Sequence, residues 1–276
     1  METASKREYV IGPDNTSFFN WKELWDYREL FYFFTWRDVK VKYKQTALGL
    51  IWVFLQPVFM VLIFTFSLRM VLNYESSLPY PVFVFSGLVL WNFFSAGVNN
   101  AGNSMVSQSN IIKKIYFPRL VIPLSAVISA GFDMLIALLI FIITLFFFQV
   151  PVNLSVVYYW PAAILITLIA SVGAGCWLSA LMVKYRDFRY VIPFLLQALL
   201  FLTPIIYPIT PRTSIWVTYV MAMNPMFAAI WFFRTPMMFD TTPNTLLLVS
   251  VISGVLLFLI GTGYFKRTER YFADLA

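Results

Sequence analysis

The chain has 276 residues, 60% of them hydrophobic and only 12% charged, about half the charge of a soluble domain, so no water-facing fold can hide its apolar surface. Its formal charge of +7 is parcelled among short segments between apolar runs, not gathered on one patch, and no nucleic-acid partner is expected. With no His and a single Cys, Cys176, inside an apolar run, one chain can assemble neither a metal cluster nor a disulfide framework.

Residues 1–20 are polar and lack the apolar core of a cleaved signal; they are expected to be a cytoplasmic tail. The segment 20–39, NWKELWDYRELFYFFTWRDV, places Lys22, Glu23, Asp26, Glu29 and Arg37 in one narrow arc at helical spacing, with Trp21, Leu24, Trp25, Tyr27, Phe31, Tyr32 and Trp36 around the rest. This predicts an amphipathic helix in the membrane interface, apolar side down, within a unit of helix and linker at 21–45. A plain anchor and a contact to substrate are both open, and both keep the helix away from the bilayer centre.

The remainder, 46–276, reads as a transmembrane domain. Apolar runs long enough to cross hydrocarbon as helices fall at about 47–72, 82–106, 120–148, 156–183, 190–207 and 246–265. The apolar part of the second ends near Val98, and NNAGNSMVSQSN stays helical only against protein or near water. Orientation follows from Lys and Arg, which short cytoplasmic loops retain. Seventeen of the 20 lie before the first span, after the second and fourth, or after the sixth, whereas the loops NYESSLPY and QVPVN hold none. Both termini are therefore placed in the cytoplasm. Between residues 208 and 244, two short apolar stretches, 215–223 and 227–233, are separated by Asn224-Pro225. One extra crossing there would carry Lys266, Arg267 and Arg270 outside, so a re-entrant pair is the expected arrangement. The fold class is an all-α polytopic membrane protein with six transmembrane helices, the interface helix and short re-entrant outer helices before the last span.

Two cytoplasmic segments stand out. Asn110, Ile111, Ile112, Lys113, Lys114, Ile115, Tyr116 and Phe117 form an apolar and basic run ended by Pro118, the pattern of a short helix across the membrane surface. Its apolar members call for a protein partner or the headgroup region, while its cations also suit a loop that only sets topology. Lys184, Tyr185, Arg186, Asp187 and Phe188 mix aromatics with charge in a second turn. Inside the spans, Asp133 is expected to pair with a cytoplasmic Lys or Arg, since a charge at mid-membrane costs roughly 2.5–3.5 kcal/mol; Arg69 can snorkel outward. Trp52, Trp91, Trp177 and Asp133 are candidates to line an interior path, aromatic faces suiting sugar rings. No Gly is followed by Lys, so there is no phosphate loop of the G-x-x-x-x-G-K-[ST] type, and neither a proton relay nor an acid–base pair for intramembrane catalysis is present.

RDVKVKYKQTALGLIWVFLQP before and into the first span, NIIKKIYFPRLVIPLS between the second and third, YRDF after the fourth, and TPIIYP followed by NP before the last together resemble the type-2 ABC exporter permeases of bacterial polysaccharide export, particularly the O-antigen group. The resemblance runs from about residue 25 to 273. It implies a homodimer in the inner membrane, resting on two copies of a cytoplasmic ATPase that binds ATP and magnesium, with a lipid-linked glycan as substrate and no cofactor in this chain. It also implies that Asn110 to Phe117 is a coupling helix docked on the ATPase and that Lys184 to Phe188 is a smaller second contact. Permeases for capsule, teichoic acid, small lipids or drugs are the near alternatives. A membrane transferase acting on lipid-linked sugars would have to work with Asp133, Asp187 and Asp240.

Overall fold

The computed structural model describes residues 21–44, 49–69, 78–115, 117–209, 213–238 and 244–269, apart from the side chains of 21–23, 49–54, 67–69 and 244. The tail 1–20, Tyr116, Asp240 and the side chains of Lys22, Glu23, Trp52 and Arg69 thus lie outside the described residues. Eleven helices are formed and no strand occurs among the described residues: α1 Trp21–Asp26, α2 Arg28–Lys44, α3 Gly49–Arg69, α4 Tyr80–Ser107, α5 Ser109–Ile112, α6 Val121–Phe147, α7 Val156–Lys184, α8 Phe188–Leu202, α9 Ile215–Ala222, α10 Pro225–Arg234 and α11 Asn244–Glu269. Four of them, α4, α6, α7 and α11, are long and apolar enough to cross a membrane. A 27-residue helix such as α6 is about 40 Å long at helical rise, more than the roughly 30 Å of hydrocarbon.

The second predicted span keeps its helix through the polar NNAGNSMVS stretch because that stretch is packed on protein: Ala101, Gly102, Ser104 and Met105 are buried in α4. The fifth is shorter than predicted. α8 has 15 residues, about 22 Å, and stops at Leu202 where the sequence pattern runs on to 207. Pro204 is the cause. It pushes the preceding residue out of helical conformation, and Thr203 has φ −86° and ψ 136°. The apolar letters of TPIIYP then form a turn, in which Ile205 N donates to Thr203 O at 2.7 Å.

Before the last helix, the expected pair of short helices is present with a bend of 96° between them. Asn224 caps α10 from an extended conformation, its side chain accepting from Met226 N, with Pro225 in the first turn. That is the chemistry of a helix start: a short side-chain oxygen for an orphan N–H, and a proline that needs no donor.

Side-chain packing fixes the direction of each helix. Along α4 and α7 the facing positions rise together, with Gly97 opposite Ser171, Gly175 opposite Ala101, and Gly102 opposite Leu178 and Met182, so the two run parallel. Against α6 they run in reverse: Val127 approaches Gly97, while Phe85 meets Phe141 at 5.6 Å. One end of the bundle therefore gathers the starts of α4 and α7 with the end of α6, and Asn153 N donates to Pro236 O there at 2.9 Å. The opposite end gathers Ser107, Val121, Lys184 and, through a bond from Arg119 N to Glu269 Oε1 of 3.1 Å, the end of α11. The basic residues after α4, at and after the end of α7 and in the last turn of α11 thus gather at one end of the bundle.

The tightest contact is between α7 and α11. A Cβ on Gly261 would stand 2.0 Å from the carbonyl oxygen of Gly173, and one on Gly173 would stand 2.6 Å from the backbone of Phe258. In a membrane, where apolar burial does not distinguish helix from lipid, such backbone approach is a main source of helix association. Two residues on, a Cβ on Gly175 would meet that of Ala101 at 2.7 Å, so one small-residue stretch of α7 holds α11 on one side and α4 on the other.

Candidate functional site

The basic end of the bundle carries the two segments singled out in the sequence. Helix α5 is a single turn, four residues long, where the sequence pattern predicts a helix through Phe117. After Ile112 the backbone continues as a turn through Lys113 and Lys114. The reason is visible in the burial of its apolar members. Ile112 is 7% exposed and Phe117 is buried, whereas Ile115 is 61% exposed. Two of the side chains that called for a partner find one inside the chain, and the segment turns sharply to place them.

Phe117 packs on Phe34 of α2, ring centroids 5.8 Å apart. The Arg37 guanidinium lies 5.0 Å from the Phe34 ring on that ring's face, donates to Gln108 Oε1 at 2.9 Å and pairs with Asp38 at 2.7 Å. Farther along α2, Lys42 forms an ion pair with Asp133 and the Tyr43 hydroxyl donates to the same carboxylate. Burial, reinforced by Asp133, raises the Tyr43 phenol above its ordinary value, which keeps it a neutral donor. Helix α2 is therefore laid alongside α6, with Phe34 beside the residues that precede α6 and Lys42 beside Asp133, twelve residues into it. Leu24, Tyr27, Leu30 and Phe31 pack toward the core, while Trp25, Tyr32, Phe33 and Trp36 are exposed. The apolar surface of this segment is thus divided between two faces.

What this leaves outward is a compact patch. Lys113, Lys114 and Ile115, with Ile112, Phe117 and Arg119 behind them, line a concavity of about 200 Å³, and Asn110 is exposed beside them. In the second segment, Tyr185 is extended and exposed, with the Lys184 ammonium 5.1 Å from its ring centroid. Arg186 and Asp187 are exposed, and Phe188 is half-buried against the core at the start of α8. Both segments combine an aromatic packed on the core, Phe117 buried and Phe188 half-buried, with outward cations and one outward apolar or aromatic side chain. Such a surface suits a protein partner, since charged rims steer and a central apolar contact holds.

The candidate path residues are not brought together. Trp91 is 4% exposed, inside the core beside Phe94 at 5.5 Å. Trp177 is 38% exposed and lines an open cavity of about 450 Å³ between α4, α7, α8, α9 and α11, with Phe94, Ile192, Leu196 and Asn224 among its other walls. Asp133 is engaged by α2. Among the described residues, no group of His, Cys, Asp or Glu comes together that could hold a metal ion.

One charged residue escaped the sequence reading. Arg234, the last residue of α10, is 5% exposed. Its Nε donates to Ser86 Oγ at 3.0 Å, Nη1 to Pro204 O at 2.8 Å, and Nη2 to Phe83 O and Ile205 O at 2.9 and 2.8 Å. The guanidinium lies 3.6 Å from the Phe83 ring centroid. Hydrogen bonds to a charged group contribute about 1.5–3 kcal/mol each, so four of them outweigh a mid-membrane insertion cost of roughly 2.5–3.5 kcal/mol. In the sequence, the only signal was an arginine closing an apolar stretch, FFRTP, which reads equally as a snorkelling end.

Comparison with known proteins bears on the whole chain. Residues 29–238 match the profile of the family described as ABC-2 type transporter. The chain is 28% identical over 242 residues to an O-antigen export system permease protein RfbA of Klebsiella pneumoniae, which covers 87% of this chain and 92% of that one. It is also 28% identical over 208 residues to an O-antigen export system permease protein RfbA of Myxococcus xanthus, 74% and 78% of the two chains respectively.

Proposed function

Because the chain belongs to the ABC-2 type transporter family, we propose that it is the membrane subunit of an ATP-driven exporter that moves a lipid-linked polysaccharide of O-antigen type from the cytoplasm across the bacterial inner membrane. It is a multi-pass membrane protein and a transport subunit, not an enzyme. The observation that carries the substrate class is similarity to O-antigen export permeases along 87% of the chain.

In this reading α3, α4, α6, α7, α8 and α11 are the six spans, α1 and α2 form the interface element, and α9 and α10 are the re-entrant pair. Both termini are cytoplasmic. Two copies of the chain enclose the path, and two copies of a separate ATPase bind ATP and magnesium beneath them. The outward patches at Asn110 to Phe117 and Lys184 to Phe188 are the surfaces that meet that ATPase; their emergence at one end of the bundle supports this. The cargo explains why an engine is needed. Each sugar hydroxyl costs roughly 4–8 kcal/mol to strip into hydrocarbon without a partner, so a glycan needs a shielded path and an external source of work.

Deleting the gene for this chain in its host should leave lipid-linked polysaccharide accumulating inside the inner membrane, with the surface glycan restored by the intact gene. Surface polysaccharide at its normal level in the deletion strain would overturn the proposal, and the chemistry of whatever accumulates separates O-antigen from capsule or teichoic acid. The topology has its own test. Single cysteines at Asn153 and Lys184, both exposed, should be labelled by a membrane-impermeant maleimide from opposite sides; labelling from the same side would refute the six-span arrangement.

A further inference from the structure

Pro204 leaves the turn after α8 without helical hydrogen bonds, and hydrocarbon offers no water to replace them. Every carbonyl from 204 to 206 is nevertheless taken by a side chain from elsewhere. Arg234 of α10 binds those of Pro204 and Ile205, and the Tyr80 hydroxyl of α4 donates to Ile206 O at 3.0 Å. One residue earlier, Asn224 Nδ2 donates to Thr203 Oγ1 at 2.7 Å. The same guanidinium also binds Phe83 O and Ser86 Oγ in the first turns of α4. Only a planar fork of five donors can reach four acceptors on two other elements in this way; an ammonium cannot.

The surroundings are shaped for it. A Cβ on Gly87 would meet Arg234 Nη2 and Ile205 Cγ2, each at 2.9 Å, so the glycine leaves room for the cation and for the turn at once. Trp160 Nε1 donates to Phe233 O at 3.0 Å, and the Trp160 ring stacks on that of Phe233 at 4.8 Å, holding the residue before Arg234 to α7. By the helix directions set out above, all of this lies at the end of the bundle opposite the basic segments.

We propose that Arg234 is a positioning residue for transport: it clasps the turn after α8 and the α9–α10 pair onto the start of α4, and so keeps the outer end of the path closed in the resting complex. The clasp is read from geometry alone; its role in transport rests on the exporter reading. Three elements that are far apart in sequence are joined through one side chain, whereas α8 below the clasp buries only Ile192 and Leu196.

The test uses the permease–ATPase complex in proteoliposomes, with Ile206→Cys as reporter in a Cys176→Ser background. Ile206 is buried, so the reporter should resist an impermeant maleimide added on the outer side. Arg234→Gln should raise its labelling rate by about tenfold or more and lower glycan release by a similar factor, the scale set by losing a single charge-assisted hydrogen bond. Arg234→Lys, which keeps the charge but not the fork, should resemble Arg234→Gln. An assembled Arg234→Gln complex within about twofold of the parent in both readouts would overturn the proposal, as would full rescue by lysine. Increased labelling with unchanged release would overturn the transport role. If Arg234→Gln does not accumulate, Gly87→Ala decides, since it presses on the clasp without removing it: faster labelling supports the clasp and unchanged labelling overturns it. The labelling arm needs no cargo, so it stands even if the polysaccharide reading fails.

Discussion

Gly261→Ala should leave little chain that survives extraction as a single, monodisperse species, and what survives should unfold at a markedly lower temperature. The added carbon would stand 2.0 Å from Gly173 O and 2.7 Å from Gly173 C, both backbone atoms with no side-chain freedom to yield. Helices α7 and α11 must then part along their length, and overpacking of this kind costs about 1–3 kcal/mol even where side chains can adjust. At the upper end this corresponds to a fall in Tm of roughly 6–12 °C for a chain of this size. Gly131→Ala is the control: its new carbon would meet only the Phe93 ring, at 3.8 Å, an ordinary contact. Gel filtration of a fluorescent fusion after heating compares the two, and equal stability would mean that the close approach of α7 and α11 does not hold the fold.

The second large effect is expected at the basic end. Ile115→Asp combined with Lys114→Glu should lower the amount of ATPase that co-purifies with the chain by about tenfold or more, as loss of a central apolar anchor and reversal of a rim charge would, while the yield of the chain itself holds. Both side chains are exposed, so their replacement disturbs no internal packing. Ile112 is the instructive contrast. It belongs to the same short segment but is buried, and Ile112→Asp should cost the chain before it costs the partner. Unchanged ATPase yield in the Ile115–Lys114 variant would remove this patch from the proposed contact.

The contrast between Ile112 and Ile115 also marks how far the sequence could be read. An apolar run announces a helix wherever its length matches the membrane, and α6 and α7 end within a residue or two of where the runs at 120–148 and 156–183 do. The pairing of Asp133 with a Lys or Arg from outside its own span followed from the cost of a bare charge in a span; that the cation is Lys42, 91 positions away, did not. The break at Pro204 is not legible because Ile205, Ile206 and Tyr207 look like span on an apolarity scale, while the break depends on backbone conformation. Nor could the burial of Phe117 be seen, since its partner Phe34 lies on a helix read as an isolated interface element. Arg234 was hidden most completely: three of its four acceptors are backbone carbonyls, which carry no letter in a sequence.

The contact between Gly173 and Gly261 has a mechanical consequence. Helix α7 ends in the Lys184–Phe188 turn, and α11 ends at Glu269, which also accepts from the Arg119 guanidinium through its backbone oxygen, just behind the Asn110–Phe117 segment. Two helices whose backbones touch cannot slide or rotate past one another without collision. In the exporter proposed above, a push received at either segment would therefore be delivered to the same stiff piece, and the chain would answer to the combined stroke and not to a difference between its two handles.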